Sequence, residues 1–229
     1  MLLSFNRYFQ DRKAAPATGG GLDGAATCVL DQGRICPFIA PMDVQQLSLP
    51  GLIQLTPRLF SDARGYFIET YNENAFRAAG ITTTFVQDNQ SYSARRGTVR
   101  GLHFQLPPAA QAKLVRVLQG SVYDVAVDLR VGSPTYGRVD GATLTAAGRE
   151  QLFVPRGFAH AFCTLEPDTM VAYKVDAFYA PASDSGLIWN DPVLAIEWPV
   201  ASEDVVLSDK DQRLGRFADF ASPFRYEGR

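Results

Sequence analysis

The stretch Lys113–Arg130, KLVRVLQGSVYDVAVDLR, decides the fold class of this chain. Its first part, Lys113–Leu118, is rich in aliphatic and β-branched residues and predicts a strand, which the tight turn Gln119-Gly120 ends. Beyond the turn, side chains alternate with a period of two around a neutral Ala126, as in a half-buried antiparallel strand. The apolar side holds Tyr123, Val125, Val127 and Leu129, and the charged side holds Asp124, Asp128 and Arg130. We therefore predict a β-hairpin at the centre of the chain.

More short strands follow on both sides of this stretch. Gln151–Val154 and Phe158–Phe162 flank a Pro155–Gly157 turn and predict a second hairpin, and Met170–Val175 predicts a further strand. One short helix is predicted over Asn72–Gly80, with asparagine as its N-cap and glycine as its stop. Many short strands separated by Gly and Pro turns favour an all-β sandwich or barrel over a βαβ fold.

The composition is that of an ordinary globular protein. Hydrophobic residues make up 46% and charged residues 20% of the 229 residues, enough to bury a core. The net charge of −2 excludes a chain-wide basic surface for nucleic acid. No apolar run approaches the roughly 20 residues of a membrane helix, and Met1–Arg7 is too short and broken for a signal peptide core. Three scattered cysteines, Cys28, Cys36 and Cys163, predict no disulfide framework and fit a reducing cytoplasm.

Residues 1–41 differ from the rest in being rich in Gly, Ala and Pro without lasting periodicity. This composition predicts a flexible N-terminal extension, followed by a single domain over residues 42–229. A start at Met42 remains an equal alternative.

The chain has two histidines, which excludes any mechanism that needs three imidazoles from one chain. His103 lies in Val99–Gln105, where a regular strand would place Gly101, His103 and Gln105 on one face. If that face lines the interior of a barrel, His103 is an inward imidazole whose charge can change near neutral pH.

The second histidine closes the segment Pro155–His160, which matches the PxGxxH element of the cupin jelly roll. Metal-binding cupins also carry an HxH pair and a glutamate in their first motif. Here that position reads His103-Phe104-Gln105, so an amide stands where the second imidazole would be. Two histidines without a clustered carboxylate make a poor transition-metal site, and we predict a metal-free jelly roll that works through side chains.

Basic residues and one tyrosine complete the candidate chemistry. Arg64 and Arg100 flank turns and could clamp a diphosphate through bidentate contacts. Lys113 could stabilise a developing oxyanion by its charge. Tyr173 is by itself more typical of a core tyrosine with one hydrogen bond than of a catalyst.

Taken together, these elements resemble the dTDP-4-dehydrorhamnose 3,5-epimerase family. The resembling stretches occur in the family's order and near its spacing, over about residues 45–215. No single motif is decisive, but the ordered set is specific. The stretches are Phe60–Phe67, Gln87–Ser91, Arg100–Gln105, Lys113–Val117, Phe158–His160, Tyr173-Lys174, Trp189–Asp191 and Leu207–Asp211.

The resemblance implies a cofactor-free cupin jelly roll that acts as a homodimer in dTDP-L-rhamnose synthesis. It implies inversion of C3 and C5 of dTDP-4-dehydro-6-deoxy-D-glucose, giving dTDP-4-dehydro-L-rhamnose. In this reading His103 is the base, Asp211 orients it and Tyr173 is the acid, while Lys113 lies by the C4 oxygen. The implied substrate contacts are Arg64, Arg100 and His160 at sugar or diphosphate, Glu69, Gln87 and Asn89 at the nucleotide, and Phe60, Tyr179 and Trp189 as pocket walls.

Three alternatives remain open at this stage. The motifs do not separate the 3,5-epimerases from relatives that invert only C3 or C5 of a related dTDP-4-keto-6-deoxy sugar. A metal-dependent cupin oxygenase or isomerase would carry stoichiometric metal. A non-catalytic jelly roll would bind a dTDP-sugar without exchanging its hydrogens.

Overall fold

The computed structural model describes residues 29–30, 34–35 and 42–228, and most of its regular structure is β-strand. All pairings between the strands are antiparallel, and a single short α-helix occurs in the described residues. The expected all-β fold with little helix is confirmed. The strands are β1 Val29–Leu30, β2 Arg34–Ile35, β3 Asp43–Gln46, β4 Ile53–Thr56, β5 Leu59–Asp62, β6 Gly65–Ile68, β7 Gln87–Ser93, β8 Val99–Gln105, β9 Lys113–Gln119, β10 Ser121–Asp128, β11 Val139–Thr145, β12 Gln151–Val154, β13 Phe158–Thr164, β14 Thr169–Val175 and β15 Asp184–Gly186.

Two sheets form the body of the jelly roll. One has five strands in the order β11-β10-β13-β8-β15, and the other has six in the order β3-β4-β12-β9-β14-β7. β5 and β6 form a separate two-stranded ribbon, and β1 pairs with β2. The two large sheets share a core, since Val122 and Phe162 of the first pack with Val115, Leu152 and Val171 of the second.

The predicted strands are present, but both predicted hairpins are wrong. β9 pairs with β12 and β14, whereas β10, which follows the turn at Gly120, pairs with β11 and β13. The Pro155–Gly157 turn likewise joins β12 in one sheet to β13 in the other. The chain changes sheet at each turn because a sandwich buries the inner faces of two sheets against each other. Gly120 permits its turn through a φ of +78°.

β10 is buried on both faces rather than half-buried. Val125, Val127 and Leu129 face a second core that the C-terminal segment covers with residues such as Leu187 and Phe224. The opposite face points between the sheets, and there Asp124 and Asp128 have no exposed surface. The charged side of the predicted pattern is therefore the inside of the jelly roll.

The predicted short helix is confirmed as α1, Glu73–Ala78. The side chain of Asn72 caps it by accepting hydrogen bonds from the backbone N–H groups of Asn74 and Ala75 at 3.0 and 3.3 Å. Phe76 anchors it to the outer face of the six-stranded sheet, against residues such as Leu114. Packing rather than propensity thus holds a helix of this length.

Most of the predicted N-terminal extension, residues 1–41, lies outside the described residues, as do Cys28 and Cys36. The boundary at residue 42 stays a prediction. Cys163 is a buried free thiol on β13. In the part of the chain that the structure describes, no helix is both long and apolar enough to span a membrane.

Candidate active site

A bulge in β8 sets the direction of its side chains. His103 lies opposite His160 of β13, and Arg100 lies opposite Phe162, so a three-residue step on β8 matches a two-residue step on β13. His160 and Phe162 share one face of their strand because they are two residues apart. Arg100 and His103 therefore also share that inner face, which a regular strand would not allow.

Gly101 makes the bulge possible. Its φ is +135°, and a Cβ built there would lie 2.3 Å from the Cβ of Ala161 and 2.7 Å from the carbonyl oxygen of His160. Only glycine fits this conformation and this close approach. The prediction that Gly101 shares a face with His103 and Gln105 is corrected, because the bulge breaks the alternation at Gly101.

His103 is paired with a buried carboxylate. Its Nε2 lies 2.5 Å from Oδ1 of Asp211, the first residue of a 3-10 helix over Asp211–Arg213. The side chain of Asp211 is 4% exposed and that of His103 is 31% exposed. Burial acts to raise the pKa of Asp211, but hydrogen bonds involving His103, Ser208 and the backbone of Gly101 outweigh it and lower that pKa.

The pairing assigns roles to the two ring nitrogens of His103. An ionised carboxylate can only accept hydrogen bonds, so the N–H at Nε2 donates a hydrogen bond to Asp211. Nδ1 then carries the lone pair of the neutral ring. Asp211 thus holds the ring of His103 in one tautomer, and Nδ1 is the atom that can act as a base.

His160 has its own carboxylate deeper in the same sheet. Its Nε2 lies 2.7 Å from Oδ1 of the fully buried Asp124, while Oδ2 of Asp124 has no hydrogen-bond partner among the described residues. Burial lowers the pKa of His160 although Asp124 opposes the change, and Lys113 and His103 nearby also act to lower it. The His160 ring is therefore neutral at pH 7.

Lys113 faces the two histidines from the six-stranded sheet. Its Nζ donates a hydrogen bond of 3.4 Å to the carbonyl oxygen of His103. Burial lowers the pKa of Lys113 to about 8, although the charges of Asp124 and Asp184 act to raise it. The group is thus mostly an ammonium at pH 7 and loses its charge under mildly alkaline conditions.

Tyr173 lies on the same sheet as Lys113 and faces inward. On β14 it lies between Asn89 of β7 and Val115 of β9, and it packs against the core that both sheets share. Burial raises the pKa of its hydroxyl, while Arg100 acts in the other direction. Tyr173 is therefore a protonated donor that faces the His103 sheet across the interior.

Arg100 is anchored to β7, the edge strand of the six-stranded sheet. Its Nε donates to the hydroxyl of Ser93 at 3.2 Å, and its Nη2 donates to the carbonyl oxygen of Tyr92 at 2.9 Å. These contacts fix the guanidinium beside Tyr173, whose pKa it influences. A held guanidinium of this kind suits an anionic ligand.

Gln87, Asn89 and Tyr179 are joined by hydrogen bonds. Nε2 of Gln87 donates to Oδ1 of Asn89 at 2.8 Å, and its Oε1 accepts from the backbone N–H of Tyr179 at 3.2 Å. The ring of Tyr179 is largely exposed, and its hydroxyl donates to Asp184 at 3.1 Å. Lys210 also bonds Asp184. These contacts form a polar rim next to the buried groups.

The single chain does not bring Phe60, Arg64 and Glu69 to this rim through any described contact. Phe60 lies on β5, Arg64 lies in the turn of the β5–β6 ribbon, and Glu69 follows β6. The side chain of Arg64 is 78% exposed and pairs with Asp62. All three are therefore placed on or beside a projecting ribbon.

Trp189 lies away from the site. It packs with Val99 and Cys163, and its carbonyl oxygen accepts the indole N–H of Trp198 at 2.9 Å. Cys163 alternates with Phe162 along β13 and so points to the outer face of the sheet. Trp189 thus belongs to the outer packing, and we do not include it in the site.

Four residues of the site did not receive a role from the sequence. Asp124 was visible only as the charged side of an alternating strand, and Lys210 only as the neighbour of Asp211. The sequence places Gln105 on the face of His103 but does not reveal its contacts to Phe178 and Ala180. Asp184 has no such signal, and its contacts to Tyr179 and Lys210 form only in the folded chain.

The metal-cupin ligand set is not formed. Among residues 42–228, no three His, Cys, Asp or Glu side chains form a group that could hold a metal ion. Gln105, at the position of the second cupin histidine, uses its amide in hydrogen bonds to the backbone of Ala109, Phe178 and Ala180. The side chains instead offer an imidazole base, a protonated phenol and an ammonium, which suits proton transfer next to a carbonyl.

Comparisons with known proteins agree with this chemistry. A family model described as dTDP-4-dehydrorhamnose 3,5-epimerase matches residues 46–219. A relative of that name from Sinorhizobium fredii is 49% identical over 185 residues, which cover 81% of this chain and 94% of the relative.

Solved structures extend the agreement to the fold. An epimerase of the same name from Bacillus anthracis, with TDP and PPi bound, is 53% identical with a TM-score of 0.74 and covers 77% of this chain and 99% of its own. A dTDP-6-deoxy-D-glucose-3,5-epimerase from Legionella pneumophila, in complex with dTDP-4-keto-L-rhamnose, is 39% identical with a TM-score of 0.77. The shared part covers 82% of this chain and all of that one. The resemblance inferred from the motifs is confirmed, and the chain belongs to the dTDP-4-dehydrorhamnose 3,5-epimerase family.

Proposed function

We propose that this protein inverts C3 and C5 of dTDP-4-dehydro-6-deoxy-D-glucose and so forms dTDP-4-dehydro-L-rhamnose, without a cofactor. The observation that carries the proposal is the His103–Asp211 pair, whose Nε2 and Oδ1 atoms lie 2.5 Å apart, with His103 on the sheet that faces Tyr173. An epimerisation needs a base on one side of a carbon and an acid on the other, and the two sheets supply one each. The proposal includes a cytoplasmic location, which the three scattered cysteines fit.

The reaction begins with proton abstraction by His103. Its Nδ1 removes the hydrogen on C3, which the C4 ketone acidifies, and the electron pair moves onto the C4 oxygen as an enolate. The charge that forms on the imidazole is stabilised by Asp211, whose lowered pKa keeps it an anion. Tyr173 then gives its proton to the opposite face of C3. His103 releases the proton it took to solvent and Tyr173 takes one up from solvent, after which the same two steps at C5 complete the inversion. General acid and base catalysis of this kind contributes about 10²- to 10⁴-fold each.

Lys113 stabilises the enolate in this proposal. Its ammonium extends from the wall opposite His103, and Asp124 keeps it partly charged despite burial. A fixed cation in a site of low dielectric acts on the oxyanion without having to reorganise, so it supplies a large share of the rate. Arg100 and His160 contact the sugar or the diphosphate, and Gln87 and Asn89 contact the nucleotide, beside Tyr179.

We propose further that the protein is a homodimer whose β5–β6 ribbon completes the partner's site. The ribbon exposes Phe60, Tyr66 and Phe67, an apolar group that is typical of an interface. It also carries Arg64, whose guanidinium suits a phosphate. In a dimer, the substrate bound to one subunit would be contacted by three residues of the other, Phe60, Arg64 and Glu69.

The central test follows hydrogen exchange during turnover. The protein is incubated with dTDP-4-dehydro-6-deoxy-D-glucose in D₂O, and C3 and C5 are observed by NMR, with a rhamnose-forming reductase present to trap product. Exchange at both carbons with trapping supports the proposal. Exchange at one carbon would identify a single-position epimerase, and exchange at neither would leave a binding protein.

The dimer is tested separately by light scattering on the full chain. Tyr66→Asp is expected to convert the dimer to monomer and to reduce activity. A mixture of inactive His103→Asn and inactive Arg64→Ala chains should regain part of the activity, because hybrid dimers contain one complete site. A wild-type monomer with full activity would overturn this part.

A further inference from the structure

Gln105 is a buried residue whose amide is fully used in holding other parts of the chain. The residue is 4% exposed. Nε2 donates to the carbonyl oxygens of Ala109 at 2.7 Å and Phe178 at 3.2 Å, and Oε1 accepts from the backbone N–H of Ala180 at 2.7 Å. These bonds leave the side chain little freedom to contact a ligand.

The segment that Gln105 holds joins the two sheets at the rim of the site. It runs from the end of β14 in the six-stranded sheet to the start of β15 in the five-stranded sheet. Gln105 binds Phe178 and Ala180, and Gln87 binds the N–H of the residue between them, Tyr179. Three consecutive residues are thus fixed by two glutamines that come from different sheets.

We propose that Gln105 is a positioning residue for nucleotide binding: it holds the Phe178–Ala180 segment so that Tyr179 stands at the rim of the site. Tyr179 is 57% exposed and is tied at its tip to Asp184, which lies opposite Gln105 in the β8–β15 pairing. Gln105 therefore holds the backbone on both sides of Tyr179, and the residue that accepts the hydrogen bond of the Tyr179 hydroxyl lies opposite Gln105. This inference rests on the proposed function and gives a role to the amide of Gln105 in the segment His103-Phe104-Gln105, which we call the HxQ segment.

The amide is the side chain that this position requires. It must donate to two carbonyl groups and accept from one N–H, and glutamine does both. A glutamate would keep the acceptor but would place a carboxylate against two carbonyl oxygens. A methionine of similar length would leave all three backbone groups without partners, which is costly in a buried place.

The first experiment separates positioning from catalysis. Gln105→Met and Gln105→Glu are expected to raise the KM for the dTDP-sugar and the Kd for dTDP about 10- to 100-fold, while kcat changes less than about threefold. Gln46→Met is the control, because Nε2 of Gln46 also donates to two backbone carbonyl oxygens, those of Leu49 and Leu52 at 3.0 and 2.8 Å, in a segment without a substrate role. It should leave KM and Kd unchanged, even where stability falls. Unchanged KM and Kd in folded Gln105 variants, or a loss confined to kcat, would overturn the proposal.

The second experiment asks whether Gln105 acts through Tyr179. In a double-mutant cycle read by calorimetric dTDP binding, Tyr179→Ala should weaken binding in the wild-type background and have little effect in Gln105→Met. Fully additive losses would reject the linkage. If the Gln105 variants fail to fold, native-state hydrogen exchange on the wild type decides instead: the Tyr179 and Ala180 amides should be protected and should gain protection with dTDP. Fast hydrogen exchange at both amides would contradict the proposal that Gln105 holds this segment. Because dTDP binding needs no turnover, these results stay distinct from failure of the epimerase proposal, which the D₂O experiment reports.

Discussion

His103 and His160 lie directly opposite each other on neighbouring antiparallel strands, and each ring is held by its own aspartate through Nε2. The two pairs have the same chemistry in different surroundings. His103 keeps an open side towards the interior, whereas His160 and Asp124 are buried and lie close to Lys113. We conclude that the His103–Asp211 pair is suited to moving a proton. The His160–Asp124 pair is suited to holding a neutral imidazole and a buried carboxylate in fixed positions beside Lys113.

Replacing the base should remove turnover and leave the fold. His103→Asn keeps a polar side chain of similar size, and we expect kcat to fall at least about 10³-fold because no other neutral imidazole is open to the interior. Circular dichroism and the unfolding midpoint should change little. Retained full activity would contradict the assignment of His103.

Asp211→Asn tests the tautomer argument. The amide can donate to Nε2, which would move the ring proton to Nδ1 and occupy the nitrogen that acts as base. We expect kcat to fall about 10²- to 10⁴-fold with a smaller change in KM. Ser208→Ala is the milder comparison and should cost less than about tenfold. It removes a hydroxyl that accepts a hydrogen bond from the backbone N–H of Asp211 at 3.1 Å and helps to lower the pKa of the carboxyl group.

Tyr173→Phe should separate the two halves of the reaction. Proton removal by His103 remains, so deuterium still enters from solvent, but protonation from the opposite face is lost. Product formation is therefore expected to fall by a larger factor than exchange, as measured by NMR in D₂O. Equal losses in the two rates would argue against Tyr173 as the acid.

Lys113 predicts an alkaline limit to activity. Its pKa of about 8 means that the ammonium is present below pH 8 and is lost above it, so kcat should decline as pH rises through about 8. In Lys113→Arg, whose side chain stays charged, any remaining activity should lack this decline. A wild-type profile that stays flat from pH 7 to pH 9.5 would contradict the role of the charge.

The same lysine should weaken the fold at neutral pH. Since the folded-state pKa of about 8 lies below the ordinary lysine value of 10.5, protonated Lys113 destabilises the folded protein below pH 8, and the penalty disappears as pH rises to about 10.5. Lys113→Met should therefore raise the free energy of unfolding at pH 7, on the order of 1–3 kcal/mol, with a smaller gain at pH 10. Denaturant titrations at the two pH values measure it.

Gly101 is expected to tolerate no side chain. Gly101→Ala would force a Cβ against Ala161 and His160 at a φ of +135°, so either the bulge or the β8–β13 pairing must shift. We expect a loss of about 2–4 kcal/mol in the free energy of unfolding, with lost activity. Gly132→Ala is the control, because its φ is also positive but open space surrounds it.

The periodicity of the sequence located the strands β9, β10, β12 and β14 and the helix capped by Asn72 almost to the residue. These features depend on neighbours along the chain, so a short window contains them. The partners of the strands were wrong because a tight turn can close a hairpin or carry the chain into the other sheet. The local sequence of Gln119-Gly120 is compatible with both.

The candidate site divides in the same way. The sequence by itself determined which residue types were present: two histidines, an HxQ segment and the ordered motifs from Phe60 to Asp211 that led to the family. Only the tertiary structure decided that a bulge at Gly101 brings Arg100 onto the face of His103, that Asp124 turns inward to His160, and that Trp189 lies on the outer side. The physical reason is that these relations join residues far apart in the chain, and they form only when two sheets close on a common core.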